Sequence, residues 1–156
     1  MEKTVRFVNS LTFQLEITAK IFNALTESYF NQEVKNRITL DEYIVLDTII
    51  CYPHIDKSTL AKTLVKDKSS VEKIISKLQK KKLIREIKNN GTEIQVSNFE
   101  LTKDGNRVYQ DIAPKNDKMV GILAKFLTEA ELVSFTKTLL KVRNILISLS
   151  DVEYKR

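Results

Sequence analysis

The stretch STLAKTLVKDKSSVEKIISKLQKKKLI, residues 58–84, decides how this chain folds. Just ahead of it stands Asp56, a good N-cap, and Leu60, Ala61 and Leu64 then form the inward face of a short helix. Only Val65 and Lys66 intervene before Asp67, a second cap. Beyond it Val71, Ile74, Ile75 and Leu78 keep the i, i+3, i+4, i+7 spacing of a helix packed on one side. The opposite face of that helix, over 68–81, carries Lys68, Ser69, Glu72, Lys73, Ser76 and Lys77. Two helices joined by so short a turn, with the small Ala61 where the pair must approach, predict a helix-turn-helix.

Outward from the motif, LIREIK at 83–88 reads as a strand, with Ile84 and Ile87 framing Arg85 and Glu86. Asn89–Thr92 supplies a turn, because Asn-Gly tolerates the positive φ of a tight hairpin. A return strand over roughly Glu93–Leu101 changes phase at Asn98–Leu101, which predicts a bulge. A helix-turn-helix followed by a basic hairpin is a winged helix. Toward the N-terminus, Thr39 and Glu42 form a capping box ahead of the apolar run Tyr43–Ile50, and Pro53 stops that helix. Residues 5–30 form a longer helix with Leu11, Leu15, Thr18, Phe22, Leu25 and Tyr29 on one stripe, ended by the polar NQEVKNR.

Toward the C-terminus, Thr102 caps a helix through Val108, Tyr109 and Ile112 that is disturbed at Pro114 and resumes through Val120–Phe126. Thr128 and Glu131 cap the last helix, where Leu132, Phe135, Leu139, Val142, Leu146 and Leu149 alternate steps of three and four. Val133, Leu140 and Ile147 widen that stripe. A seam so broad needs a partner, and both the N-terminal helix and another subunit are expected to supply one. The expected fold is mainly α with a small β wing. A winged helix-turn-helix would occupy residues 35–106, and a helical dimerisation region residues 1–34 and 107–156.

Charge marks the same block. The chain has 156 residues and a formal charge of +6, but Lys57–Thr92 holds eleven basic residues against three acidic ones. That block is therefore +8, and the other 120 residues sum to −2. A surplus confined to one segment is the footprint of a polyanion partner. A helix N-terminus presents free N–H groups and a partial positive charge. Ser69 and Ser70 let the backbone come close to DNA, with helping to cap the helix beside Asp67 as the alternative, and Lys68, Lys73 and Lys77 reach phosphates or guanine acceptors. Ser69, Lys73 and Ser76 share one face, the footprint of a recognition helix. The candidate DNA contacts are Ser58, Lys66, Lys68, Ser69, Ser70, Lys73, Ser76 and Lys77, with Arg85, Lys88, Asn89, Asn90 and Thr92 from the wing.

At these residues, and again at FELTKDGNRVY (99–109), the chain resembles the MarR family of winged-helix transcription regulators. The order of elements matches over nearly the whole length. The resemblance implies a homodimer with interlocked terminal helices and one recognition helix per half-site of a pseudo-palindromic operator. Such helices would lie on the order of 34 Å apart, one turn of DNA. Two positions depart from the family. Its wing usually carries Asp-x-Arg, where this chain has Glu93, Ile94 and Gln95, so either Arg85 or Lys88 substitutes or minor-groove reading is weak. Lys82 stands where the family often has glycine, which implies a differently shaped helix end.

Catalysis is not expected, and neither is a cofactor. One histidine, His54, and one cysteine, Cys51, do not suffice for an ordinary zinc site, and His54 reads as a loop residue. Cys51 ends an apolar helix and is expected in the core, with redox sensing as the alternative. No signal-peptide or membrane-spanning stretch is legible, so a soluble cytoplasmic protein is expected. Family members often bind small aromatic or anionic effectors, for which Phe7, Phe13, Phe22, Tyr43 and Tyr109 are candidates, each also explicable as core. The chain is thus expected to be a dimeric sequence-specific regulator of transcription, a repressor binding double-stranded DNA. The alternatives are a winged-helix protein-interaction module and a nonspecific nucleoid-type DNA binder.

Overall fold

A computed structural model of the chain describes residues 7–35, 37–88 and 97–153. Within them, helices start where a side-chain oxygen can take the free amides of the first turn. A 3-10 turn, Phe7–Asn9, precedes α1 (Leu11–Val34), whose N-cap Ser10 accepts from the Phe13 amide at 3.3 Å. Thr39 and Glu42 close the expected capping box on α2 (Leu40–Cys51). Asp56 caps α3 (Lys57–Leu64) and Asp67 caps α4 (Lys68–Lys80). Strands β1 (Ile84–Lys88) and β2 (Ser97–Leu101) follow, then α5 (Lys103–Val120), a 3-10 turn at Leu123–Lys125 and α6 (Glu129–Glu153). The chain divides into two compact units, Met1–Asn116 and Asp117–Arg156.

The first unit is built round one core. Its fully buried side chains include Ile38, Leu46, Leu60, Val71, Ile75, Leu78, Phe99 and Ile112. Each such residue contributes roughly 1.5–3 kcal/mol through burial. The four apolar positions of α4 are all buried, and its basic face is left to solvent. The second unit is carried by α6, opened by the Thr128–Glu131 box, with amide-to-oxygen distances of 2.8 and 3.3 Å. Along α6 Phe135, Leu139, Leu140, Leu146, Ile147 and Leu149 are exposed.

Four expectations are corrected. First, α1 does not end at residue 30 but runs four residues into NQEVKNR, to Val34, because Phe30 and Val34, one turn apart, are both buried in the core. Second, Pro114 lies inside α5, which runs unbroken to Val120, and only a 3-10 turn at Leu123–Lys125 follows before Phe126. Gln110 and Pro114 are both exposed, so the carbonyl left without a partner by proline's missing N–H can bond water. Third, the described part of β2 has no bulge. Its ladder is regular, from Ile84 opposite Leu101 to Lys88 opposite Ser97. The change of phase arises because Asn98, on the other face from Phe99, is covered by an antiparallel bridge to Asp56. Fourth, Cys51 is exposed. The inward face of α2 is Glu42, Tyr43, Val45, Leu46, Thr48 and Ile49, and Ile50 and Cys51 fall on the outer side.

The chain has three glycines, and no described one has a positive φ. Non-glycine residues take the left-handed positions instead. Lys35, Val65 and Lys82, at φ of 51°, 51° and 57°, each end a helix. A fifth expectation, a differently shaped helix end at Lys82, is corrected too: the position keeps the left-handed turn that glycine would make. His54, at φ 64°, lies in the loop after α2, as expected.

Candidate nucleic-acid interface

Asp67 organises the start of α4. Its carboxylate accepts the Ser70 amide at 2.8 Å, the Ser69 hydroxyl at 2.7 Å and the Ser70 hydroxyl at 2.6 Å. The Ser70 hydroxyl, then that of Ser69, then the Ser70 amide hold the Asp67 carboxyl far below the usual carboxylate range. The two serines therefore help cap the helix beside Asp67, as the alternative had it, but the bonds from their hydroxyls to its carboxylate were not foreseen. The spacing Asp-x-Ser-Ser, which offers hydroxyls at i+2 and i+3 of a cap, is the signal that could have revealed it.

The lysines divide into two sets. Lys68, Lys73 and Lys77 are exposed on α4 and have no ion-pair partner among the described residues. Lys66 instead pairs with Asp41 at 3.0 Å, and Lys57 with Glu72 at 3.0 Å. Both pairs are exposed enough to be worth under about 1 kcal/mol, so phosphate can displace them. Ser76 is half-buried at the edge of the face, and Ser58 is exposed, its amide donating to Asp56 at 2.7 Å.

The far end of α4 is tied down more firmly. Lys81 donates to Glu42 at 2.7 Å and to the Arg37 carbonyl at 3.3 Å. Glu42 is only 2% exposed, and the same carboxylate oxygen accepts the Thr39 amide at 2.8 Å. The start of α2 and the exit of α4 thus share one buried acceptor, a link the sequence did not suggest.

On the wing, Arg85 pairs with Glu100 across the β ladder. It sits one residue from the base of β1, so it is already engaged far from the hairpin tip. Lys88 ends β1. Asn89, Asn90 and Thr92, with Glu93, Ile94 and Gln95, lie outside the described residues.

The effector candidates do not converge. Tyr43 is buried and stacks on the half-buried Tyr109, with ring centroids 5.7 Å apart and an interplanar angle of 9°. The Tyr109 hydroxyl donates to Asp47 at 2.7 Å, which pushes its pKa up, with burial adding to the effect. Phe7 meets Phe13 edge-on, and Phe22 is exposed on α1. A cavity of about 540 Å³ behind α4 is lined instead by Glu27, Asp41, Leu64, Lys66, Ile74 and Lys77, among others, and by none of these aromatic rings. Among the described residues no three His, Cys, Asp or Glu side chains come together as a metal site, and no helix is long and apolar enough to cross a membrane.

No protein-family model matches the sequence, and no curated protein matches it. Solved structures do. The PcaV transcriptional regulator of Streptomyces coelicolor, in complex with its natural ligand, superposes with a TM-score of 0.73 at 19% identity, over 91% of this chain and 97% of that one. The S. aureus MepR–DNA complex gives 0.75 at 18% identity, over 90% and 99%. A mutant E. coli MarR complexed with operator DNA gives 0.72 at 22% identity, over 88% and 99%. The chain has the winged-helix fold of the MarR-family regulators, with the order of elements expected.

Proposed function

We propose that this chain is a DNA-binding transcription regulator that acts as a homodimer on a pseudo-palindromic operator. The observation that carries the proposal is the face of α4. Lys68, Lys73 and Lys77 are exposed along a capped helix with no ion-pair partner among the described residues, while the other side of that helix is locked into the core. Two chains of the same fold have been solved on DNA, which supports the assignment. In the mechanism, the α4 lysines neutralise phosphates and its first two turns meet base edges in the major groove. The exposed apolar stripe of α6 supports pairing with a second copy, which sets the spacing of the two α4 helices. Repression follows from occupying a promoter. Release by a small effector follows from a shift between DNA-competent and incompetent spacings, and the ligand-bound PcaV structure supports that step.

The test is binding of the full chain to upstream DNA of its own gene, measured against salt. A specific regulator loses affinity by orders of magnitude between about 50 and 200 mM salt and prefers one site over random DNA. Lys73→Ala lowers the log–log slope by about 0.9 for each subunit that loses a phosphate contact. A slope without site preference would indicate nonspecific DNA packaging. No measurable slope would leave the interaction module, a reading that the engaged Arg85 favours.

A further inference from the structure

The hydrogen bonds round Asp67 have a polarity, and it bears on which bases α4 reads. We propose that the N-terminal rim of α4 accepts a hydrogen bond from an exocyclic base amine, N4 of cytosine or N6 of adenine, rather than donating to the acceptor edge of guanine. This rests on the DNA-binding reading above and deepens it.

A carboxylate accepts and cannot donate, so the serine supplies the hydrogen in both the Ser69–Asp67 contact at 2.7 Å and the Ser70–Asp67 contact at 2.6 Å. A serine has one hydroxyl hydrogen. With that hydrogen turned back to Asp67, each oxygen presents only lone pairs outward. The same bonds hold the Asp67 carboxyl far below the usual carboxylate range, so at neutral pH it is ionised and can only accept. Ser69 and Asp67 are exposed and Ser70 is half-buried, which makes Ser69 the principal reader. The side-chain oxygens of the rim are thus acceptors, with the first-turn amides and the ammonium groups of Lys68 and Lys73 as the donors beside them.

Base pairs in the major groove divide along the same line. Cytosine N4 and adenine N6 are the donors, whereas guanine N7 and O6, adenine N7 and thymine O4 accept. An acceptor rim beside a lysine matches a C·G pair especially well, with the amine facing Ser69 and the guanine edge facing Lys73. Its carboxylate also repels phosphate, which drives the helix start toward the bases and leaves the backbone to the lysines.

The test first selects the preferred site of the full-length chain from random duplexes. Single atoms are then deleted: the cytosine amine with 2-pyrimidinone, the adenine amine with purine, and the guanine acceptor with 7-deazaguanine. The expected result is one position per half-site where amine deletion weakens wild-type binding by about three- to tenfold more than it weakens Ser69→Ala. Which analogue shows this distinguishes cytosine from adenine. Ser69→Thr, which keeps the hydroxyl, restores the sensitivity. It also separates lost reading from a weakened helix start, as does thermal unfolding of each variant. If Ser69→Ala instead alters only the response to 7-deazaguanine, the hydroxyl donates and the inference is overturned while DNA binding stands. If selection enriches no site, the reading of the chain as a sequence-specific regulator itself fails.

Discussion

Val65 has a β-branched side chain at a φ of 51° and is 77% exposed, so it carries left-handed strain with little burial in return. Relief of about 1–2 kcal/mol, less the added chain entropy of glycine, predicts that Val65→Gly raises the unfolding free energy by roughly 0.5–1 kcal/mol. Urea unfolding with an unchanged m-value would register it, and a loss of stability would mean that the valine makes a contact worth more than its strain. Gly105 predicts the opposite. A Cβ there would sit 1.9 Å from the Leu83 carbonyl oxygen, which also accepts the Thr102 amide at 3.0 Å and so cannot retreat. Gly105→Ala should cost about 2 kcal/mol or more in the same experiment. Neither property was readable in the sequence. The left-handed turn at Val65 follows from how closely α3 and α4 are joined, and the clash at Gly105 is with backbone distant along the chain.

Among the elements, capping is the common thread. Asp56, Asp67 and Glu131 all hold cap hydrogen bonds, and their carboxyl pKa values lie below the ordinary 3.8, 3.8 and 4.5. Their main causes are the bond from the Thr59 amide, the bond from the Ser70 hydroxyl and the bond from the Thr128 amide, respectively. In the unfolded chain these groups take up protons near pH 4, where the folded chain still holds them ionised. Stability is therefore present above about pH 5 and is lost as the pH falls through 4 and below. The urea midpoint should decline over that range, and Asp67→Asn should flatten the decline. An unchanged pH profile in that variant would contradict the role given to the cap. These starts were legible in the sequence, because a cap and its box are local signals. Where the outcome depended on distant contacts, local signals failed: α1 runs into NQEVKNR as far as Val34 because Phe30 and Val34 are drawn into the core. The apparent bulge in β2 is a second neighbour, Asp56, covering Asn98.

At the scale of the molecule, α6 leaves Leu139 44% and Leu146 59% exposed, an unfavourable arrangement for a chain that acts alone. Leu139→Glu combined with Leu146→Glu should yield a monomer by sedimentation with its helix content kept. Losing one half of a bivalent contact should weaken operator binding by about a hundredfold or more. A double variant that still sediments as a dimer would place the subunit contact elsewhere. The order of elements was legible throughout, since long periodic helices and a short two-helix turn leave few other arrangements. The recognition face was legible as charge and spacing but not as chemistry. Sequence showed that Ser69 and Ser70 were polar, whereas only the fold revealed that Asp67 already holds their hydrogens.

The oxygen of Glu42 that takes both the Thr39 amide and the Lys81 ammonium has a mechanical meaning. It rivets two helices whose other contacts are greasy and could slide. Tilting α4 alone would pull Lys81 away and leave the buried Glu42 carboxylate to the Thr39 amide, which disfavours that motion. The reading head is therefore not a finger that bends on its own knuckle. Whatever switches it must carry α2, α3 and α4 together as one block.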